Sequence, residues 1–139
     1  PMKFHIVEMD HIVLNVADID RSLAFYTKVL GLGAEREDEW RAGKIGFPSV
    51  RINSDTIIDL MTGPVPGATA GQKTQGNLNH YCMVVAGADL APALEHLASN
   101  GVAVHNGPVS RWGAHGRATS VYLLDPDGNE VELRSYGTE

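Results

Sequence analysis

Gly113 to Tyr136 runs GAHGRATSVYLLDPDGNEVELRSY and reads as two strands joined by a tight turn. Ala118 to Leu124 is rich in β-branched and aromatic residues, the composition of a strand. Asp125-Pro126-Asp127-Gly128-Asn129 then reverses the chain, with a proline that presets φ and a glycine free to take φ > 0. Glu130 to Tyr136 follows as the closing strand. Its two-residue period puts Val131 and Leu133 on one face and Glu130, Glu132 and Arg134 on the other. A strand face carrying carboxylates is either solvated or directed at a ligand.

Read from its start, the chain follows one plan twice, and the second copy ends in this stretch. Met9 to Val16 (MDHIVLNV) reads as a strand with His11, Val13 and Asn15 on one face. Ala17-Asp18 offers an N-cap, Ile19, Leu23, Tyr26 and Leu30 recur at helical spacing, and Gly31 supplies the stop. Strands are expected around Glu35 to Trp40, around Ile45 to Asn53, and over Thr56 to Met61, where Ile57, Asp59 and Met61 share a face. Gly63 to Asn77 is broken by Gly and Pro and has no apolar period, as a linker would be. Leu78 to Val85 then repeats the first strand, with His80, Cys82 and Val84 on one face. Asp89 to Asn100 is a helix with the stripe Leu90, Ala93, Leu94 and Leu97, Pro92 in its first turn and Gly101 at its end. An extended piece around Val104 to Arg111 leads back to the two closing strands.

The chain is therefore read as two copies of strand–helix–strand–strand–strand. His11 and His80 stand 69 residues apart, and the same offset pairs Val16 with Val85, Ala17 with Ala86 and Asp20 with Asp89. The expected fold is α+β: one domain over residues 1–139, with a βαβββ module at about 5–62, a linker at 63–77 and a second module at about 78–136.

Composition limits the function. A hydrophobic fraction of 43% over 139 residues supports a real core. A net charge of −6 argues against nucleic acid or an anionic membrane as partner. No apolar run approaches the roughly 20 residues of a membrane span, and PMKFHIVEMD lacks the features of a signal peptide. A lone cysteine, Cys82, fits a reducing compartment, so the expected location is the cytoplasm. Pro1 is read as the residue left by removal of an initiator Met, or by cloning, rather than as a catalytic amine.

A histidine or an acid on a buried strand is costly unless paired or metal-bound. Singly, such a histidine is more often a satisfied core or surface residue. Here each first strand carries a His and each last strand an acid on one face, Asp59 and Glu132. His11, His80 and Glu132 make the two-His, one-carboxylate set that suits Fe(II) and leaves positions open. Asp59 added to them makes a mixed four-ligand set that suits Ni, Zn or Mn. His5, His96 and His105 have no such counterparts and are expected to be exposed. Cys82 reads as a small hydrophobe. Arg111, His115 and Arg117 flank the Gly-rich turn WGAHGR, as solvated loop residues or as groups that bind a substrate anion or move a proton.

At these residues the sequence resembles the vicinal oxygen chelate superfamily, which includes glyoxalase I, the bleomycin- and fosfomycin-resistance proteins and type I extradiol ring-cleaving dioxygenases. The resemblance covers the whole chain. It is most specific at Gly113-Ala114-His115, Val121-Tyr122, Asp125-Pro126-Asp127-Gly128 and Glu132, which look like the extradiol signature. The stretch also looks like a small single-domain branch of dioxygenase-related glyoxalase-domain proteins. The resemblance implies curved mixed sheets around a metal-binding cleft, with His11, His80 and Glu132 as metal ligands. Tyr122 and His115 would act at the substrate, and Asp59, Arg111 and Arg117 would bind it. No His lies between His11 and His80 to match the further catalytic His of extradiol enzymes, and Asp59 stands where glyoxalase I has Glu.

Three functions follow as expectations. The first is an Fe(II)-dependent extradiol-type dioxygenase. The second is a metal-dependent lyase or isomerase of glyoxalase type, and the third a metal-free protein that sequesters a small molecule. In the first two, a divalent ion chelates neighbouring substrate oxygens and stabilises the charge that develops on them. Two short modules leave strand edges exposed, so a homodimer is expected.

Overall fold

A computed structural model describes residues 8–65, 71–74, 76, 78–113 and 115–137. Pro1, His5 and Ala114 lie outside them. The chain divides into two compact units, Pro1–Pro64 and Val65–Glu139.

The first unit contains β1 (His11–Val16), α1 (Ile19–Ala24), β2 (Gly33–Glu35), α2 (Glu37–Arg41), β3 (Ser49–Arg51) and β4 (Ile57–Thr62). Asp18 caps α1, its carboxylate accepting from the Arg21 N–H at 3.1 Å. The helix then widens into a π turn over Phe25–Val29, where the Leu30 N–H reaches back to the Phe25 carbonyl. Gly31 takes φ +75° and ends it. The sheet order is β1-β4-β3-β2, with β1 parallel to β4 and the other pairs antiparallel. Leu14 and Val16 of β1 and Ile58 and Leu60 of β4 are buried with Ile19, Leu23 and Tyr26 of the helical stripe. Removing one such side chain to Ala typically costs about 2–5 kcal/mol.

One expectation fails in this unit. The strand expected around Glu35 to Trp40 stops at Glu35, and Glu37–Arg41 is helical. Arg36 stands between them with φ 60° and ψ 25°, a left-handed conformation that breaks the strand. Glu37, Asp38 and Glu39 then fill the first turn of α2, where the helix dipole favours acids.

The second unit contains β5 (Tyr81–Val84), α3 (Ala91–Ser99), β6 (Val104–Gly113), β7 (Gly116–Leu124) and β8 (Glu130–Ser135). Its sheet order, β5-β8-β7-β6, repeats the first: β5 runs parallel to β8 and the other pairs are antiparallel. Leu90 at the N-cap of α3 and Leu97 within it are buried, and Val121, Leu123, Val131 and Leu133 share a buried face of the sheet. At the β7–β8 turn, Asp125 accepts from the Asp127 and Asn129 N–H groups at 2.9 and 2.8 Å. Gly128 has φ +80°, and its carbonyl accepts from the Thr74 N–H at 2.7 Å. Residues within the stretch expected to be a linker thus reach this turn, and Lys73 pairs with Glu130 at 3.3 Å.

The architecture is α+β, with two four-stranded mixed sheets that remain open. Among the described residues no helix is long and apolar enough to cross a membrane.

Candidate metal centre

The two sheets put a histidine and an acid together in the same way. On the parallel pair β1–β4, Asp59 is in register with Val13, and His11 lies two residues upstream of Val13 on the same face. On β5–β8, Glu132 is in register with Cys82, and His80 lies two residues upstream of Cys82. His80 Nε2 is 3.2 Å from Glu132 Oε1, and His11 Nε2 is 3.9 Å from Asp59 Oδ2.

The residue before each histidine fixes the other ring nitrogen. His11 Nδ1 is 2.7 Å from Asp10 Oδ2, and His80 Nδ1 is 2.6 Å from Asn79 Oδ1. An oxygen acceptor there holds the proton on Nδ1 and turns the Nε2 lone pair toward the carboxylate, the arrangement seen behind metal-bound histidines. Two lone-pair donors that face each other call for a cation between them, a proton or a metal. Imidazole nitrogen with carboxylate oxygen suits Fe, Zn, Ni or Mn, so the donor set of each pair fits such an ion. Each unit supplies one such pair. Among the described residues no three His, Cys, Asp or Glu side chains gather as a metal-holding group.

Each carboxylate has one oxygen occupied. Ser120 Oγ donates to Glu132 Oε2 at 2.6 Å, and Arg134 Nη1 donates to the same oxygen at 3.1 Å. Ser49 Oγ donates to Asp59 Oδ1 at 2.5 Å, and Arg36 Nη2 lies 3.8 Å from that oxygen. Burial by itself pushes the Glu132 carboxyl up. Hydrogen bonds from Ser120 and Tyr122 and the charges of Arg134 and His80 outweigh it and hold the group below the usual carboxylate range. The hydrogen bond to Asp10 raises the pKa of His11, with the Asp59 charge adding to it.

Tyr122 is buried, stands directly opposite Glu132 across β7–β8 and presents its ring edge-on to His80 at 5.7 Å. Burial raises the phenol pKa, and the Glu132 charge raises it further against the pull of Arg111. Cys82 shares this face but is exposed, not the buried small hydrophobe the sequence suggests; partial desolvation together with the Glu132 charge pushes its thiol up to about 11. Arg111 is cross-strand to Ala118 and so shares the face of Tyr122 and Glu132.

Arg117 does not. It pairs with Trp112 across β6–β7, stacks over that indole at 4.9 Å and faces the α3 side of the sheet. There it borders a separate cavity of about 310 Å³ with Leu90, Thr119 and Tyr136. His115 is exposed in the β6–β7 turn, where its N–H donates to the Tyr136 hydroxyl at 3.1 Å. His96 is exposed, as expected. His105 is exposed but has an acid partner the sequence did not reveal, Glu130 at 2.6 Å.

Ser49, Ser120, Arg36, Arg134, Asp10 and Asn79 were not singled out by sequence. The 69-residue offset pairs Asp10 with Asn79 and could have flagged both.

The profile of the Glyoxalase/Bleomycin resistance protein/Dioxygenase superfamily matches residues 8–133. The chain belongs to this superfamily. It is 34% identical over 132 residues to the glyoxalase domain-containing protein RDO1 of Mycosarcoma maydis, covering 92% of this chain and 68% of that one. To the virulence protein STM3117 of Salmonella typhimurium it is 31% identical over 128 residues, covering 92% and 83%. The solved integron cassette protein VPC_CASS1 of V. pseudocholerae superposes with a TM-score of 0.77 at 32% identity, over 99% of this chain and 100% of that one. Superfamily relatives of this chain include proteins named lactoylglutathione lyase, glutathione transferase FosA and catechol-2,3-dioxygenase. The same fold occurs in the antibiotic-binding protein TnmS3.

Proposed function

We propose that this superfamily member is a divalent-metal-dependent enzyme acting on neighbouring oxygens of a small molecule, of extradiol dioxygenase type, with His11, His80 and Glu132 as ligands of an Fe(II) ion. The observation that supports it is the repeated His–carboxylate pair, with Nδ1 tied back and Nε2 turned to the acid in both units. The ion would supply Lewis acidity and a template for two substrate oxygens.

The chain's own residues do the rest. Tyr122, with its raised pKa, stays protonated at neutral pH, and its hydroxyl, which donates to Glu132, would turn to a developing oxyanion beside that carboxylate once Glu132 holds the ion. Arg111 on the same face attracts the anionic substrate, and Asp59 borders the site and orients His11. His115 is the second proton-transfer group of this reading, reached from the hairpin turn. Arg117, which faces the other side of its sheet, drops out of the substrate set.

Measurement of metal content tests the ligands. Wild type should carry about one divalent ion per chain, His80→Ala should lose most of it, and His96→Ala should keep it. Equal content in the two variants would overturn the assignment.

A second reading, a glyoxalase-type lyase, draws on the likeness of the His11–Asp59 pair to His80–Glu132, which would make Asp59 a fourth ligand. A protein that binds a small molecule without metal is the outcome if wild type takes up no ion. We further propose a homodimer, since each sheet ends on two edge strands, β1 and β2 or β5 and β6, that a two-fold partner can cover. Light scattering at micromolar concentration should give twice the chain mass, and a fully active monomer would refute the dimer.

A further inference from the structure

We propose that Arg134 is a positioning residue for Glu132: it occupies Oε2, so that only Oε1 is presented beside His80, and it ties the β6–β7 hairpin to that carboxylate. This rests on the reading of Glu132 as a metal ligand. Arg134 is 3% exposed, within a unit where a buried charge needs a partner. Its Nη1 donates to Glu132 Oε2 at 3.1 Å and to the Trp112 carbonyl at 3.2 Å. Its Nη2 donates to the carbonyls of Arg111 at 2.9 Å and Gly116 at 3.2 Å. The guanidinium lies over the Tyr136 ring at 5.0 Å.

One cation therefore joins the acid to three hairpin carbonyls, on both strands of the hairpin and around its turn. Arg111 takes its place relative to Glu132 and Tyr122 from that tie. Among the described residues the buried Nε–H has no hydrogen-bond partner. Leaving a buried donor unsatisfied costs free energy, so the side chain is arranged for what its two terminal nitrogens hold and not for its own full satisfaction.

The consequence for Glu132 is chemical. With Ser120 and Arg134 both on Oε2, the carboxylate is prepared as a one-oxygen donor through Oε1, the oxygen 3.2 Å from His80 Nε2. Lys cannot reproduce this, since an ammonium has no planar fork to span acid and carbonyls. Residues that orient a ligand carboxylate typically set metal affinity by about 10–100-fold.

Co(II) titration of the full chain tests the inference, following affinity by chelator competition and the ligand-field bands by absorption, for wild type, Arg134→Met and Arg134→Lys. Near-UV circular dichroism reports whether each variant is folded. The expected result is a folded Arg134→Lys with roughly tenfold weaker Co(II) binding and shifted bands, and a larger loss, up to about 100-fold, in Arg134→Met. A folded variant with wild-type affinity and unchanged bands would overturn it. So would failure of both variants to fold, because the guanidinium would then serve the sheet alone. Wild type that takes up no Co(II) would instead overturn the metal reading itself, and this inference with it.

Discussion

Glu132 is the residue where burial, hydrogen bonding and charge compete most directly. Burial disfavours its charged form, but Ser120, Tyr122, Arg134 and His80 together keep its pKa below the unfolded value. A carboxyl depressed in the folded state contributes stability that is present above the unfolded pKa of about 4.3 and is lost as pH falls through the folded value. In metal-free protein, wild type should therefore lose more urea resistance than Glu132→Gln between about pH 5 and pH 3. Parallel decline of the two urea midpoints would show that Glu132 is not the group responsible. The placing of a histidine and an acid on one face of each sheet, His11 with Asp59 and His80 with Glu132, was legible from strand alternation and the repeated plan, whereas Tyr122 was named from the resemblance alone. Arg36 and Arg134 were not legible for a physical reason. They approach equivalent carboxylates from different places, one from the β2–α2 junction and one from β8 itself, so no repeat signal links them.

Elements were read well wherever periodicity ran long enough to fix a face. The stripe Ile19, Leu23 and Tyr26 and the pair Leu90 and Leu97 are buried as their spacing predicts. The stretch after Glu35 was misread because five residues of α2 carry no period, and its start depends on one left-handed residue, Arg36, which composition does not betray. The Asp125–Asn129 turn was legible, but its clasp by residues 72–74 was not, since that contact joins segments distant in sequence. Gly128 shows how tight the clasp is. A Cβ there would meet the Gln72 carbonyl and come within 2.7 Å of the Thr74 N–H, at a φ of +80°. Left-handed backbone alone costs a side chain about 1–2 kcal/mol, and the clash adds to it. Gly128→Ala should lower unfolding free energy by about 2 kcal/mol or more, measured by urea denaturation, and should raise proteolysis within residues 71–74. A loss below about 0.5 kcal/mol would mean that the clasp yields freely.

At the scale of the whole molecule, two units built on one plan differ at the point that selects the chemistry. Glu132 brings its oxygen to 3.2 Å from the histidine of its unit, whereas Asp59, one methylene shorter, stops at 3.9 Å. Each acid has its other oxygen held by a serine, so the difference in reach is not made up by rotation of the carboxylate. Three protein ligands leave an iron site with room for two substrate oxygens and dioxygen, while a fourth from Asp59 would favour isomerisation, which consumes no oxygen. The shorter reach favours the first arrangement. Asp59→Ala should then leave metal content nearly unchanged, and Glu132→Ala should abolish it. Iron-loaded protein should consume oxygen with a catechol-like substrate, and Tyr122→Phe, which removes one hydrogen bond to the developing oxyanion, should slow that uptake by about tenfold. Oxygen-electrode traces and metal analysis on the same preparations decide the matter. Loss of metal in Asp59→Ala, together with turnover of an α-oxoaldehyde–thiol adduct and no oxygen uptake, would move the proposed activity to the lyase class, with Asp59 as the ligand that made the difference.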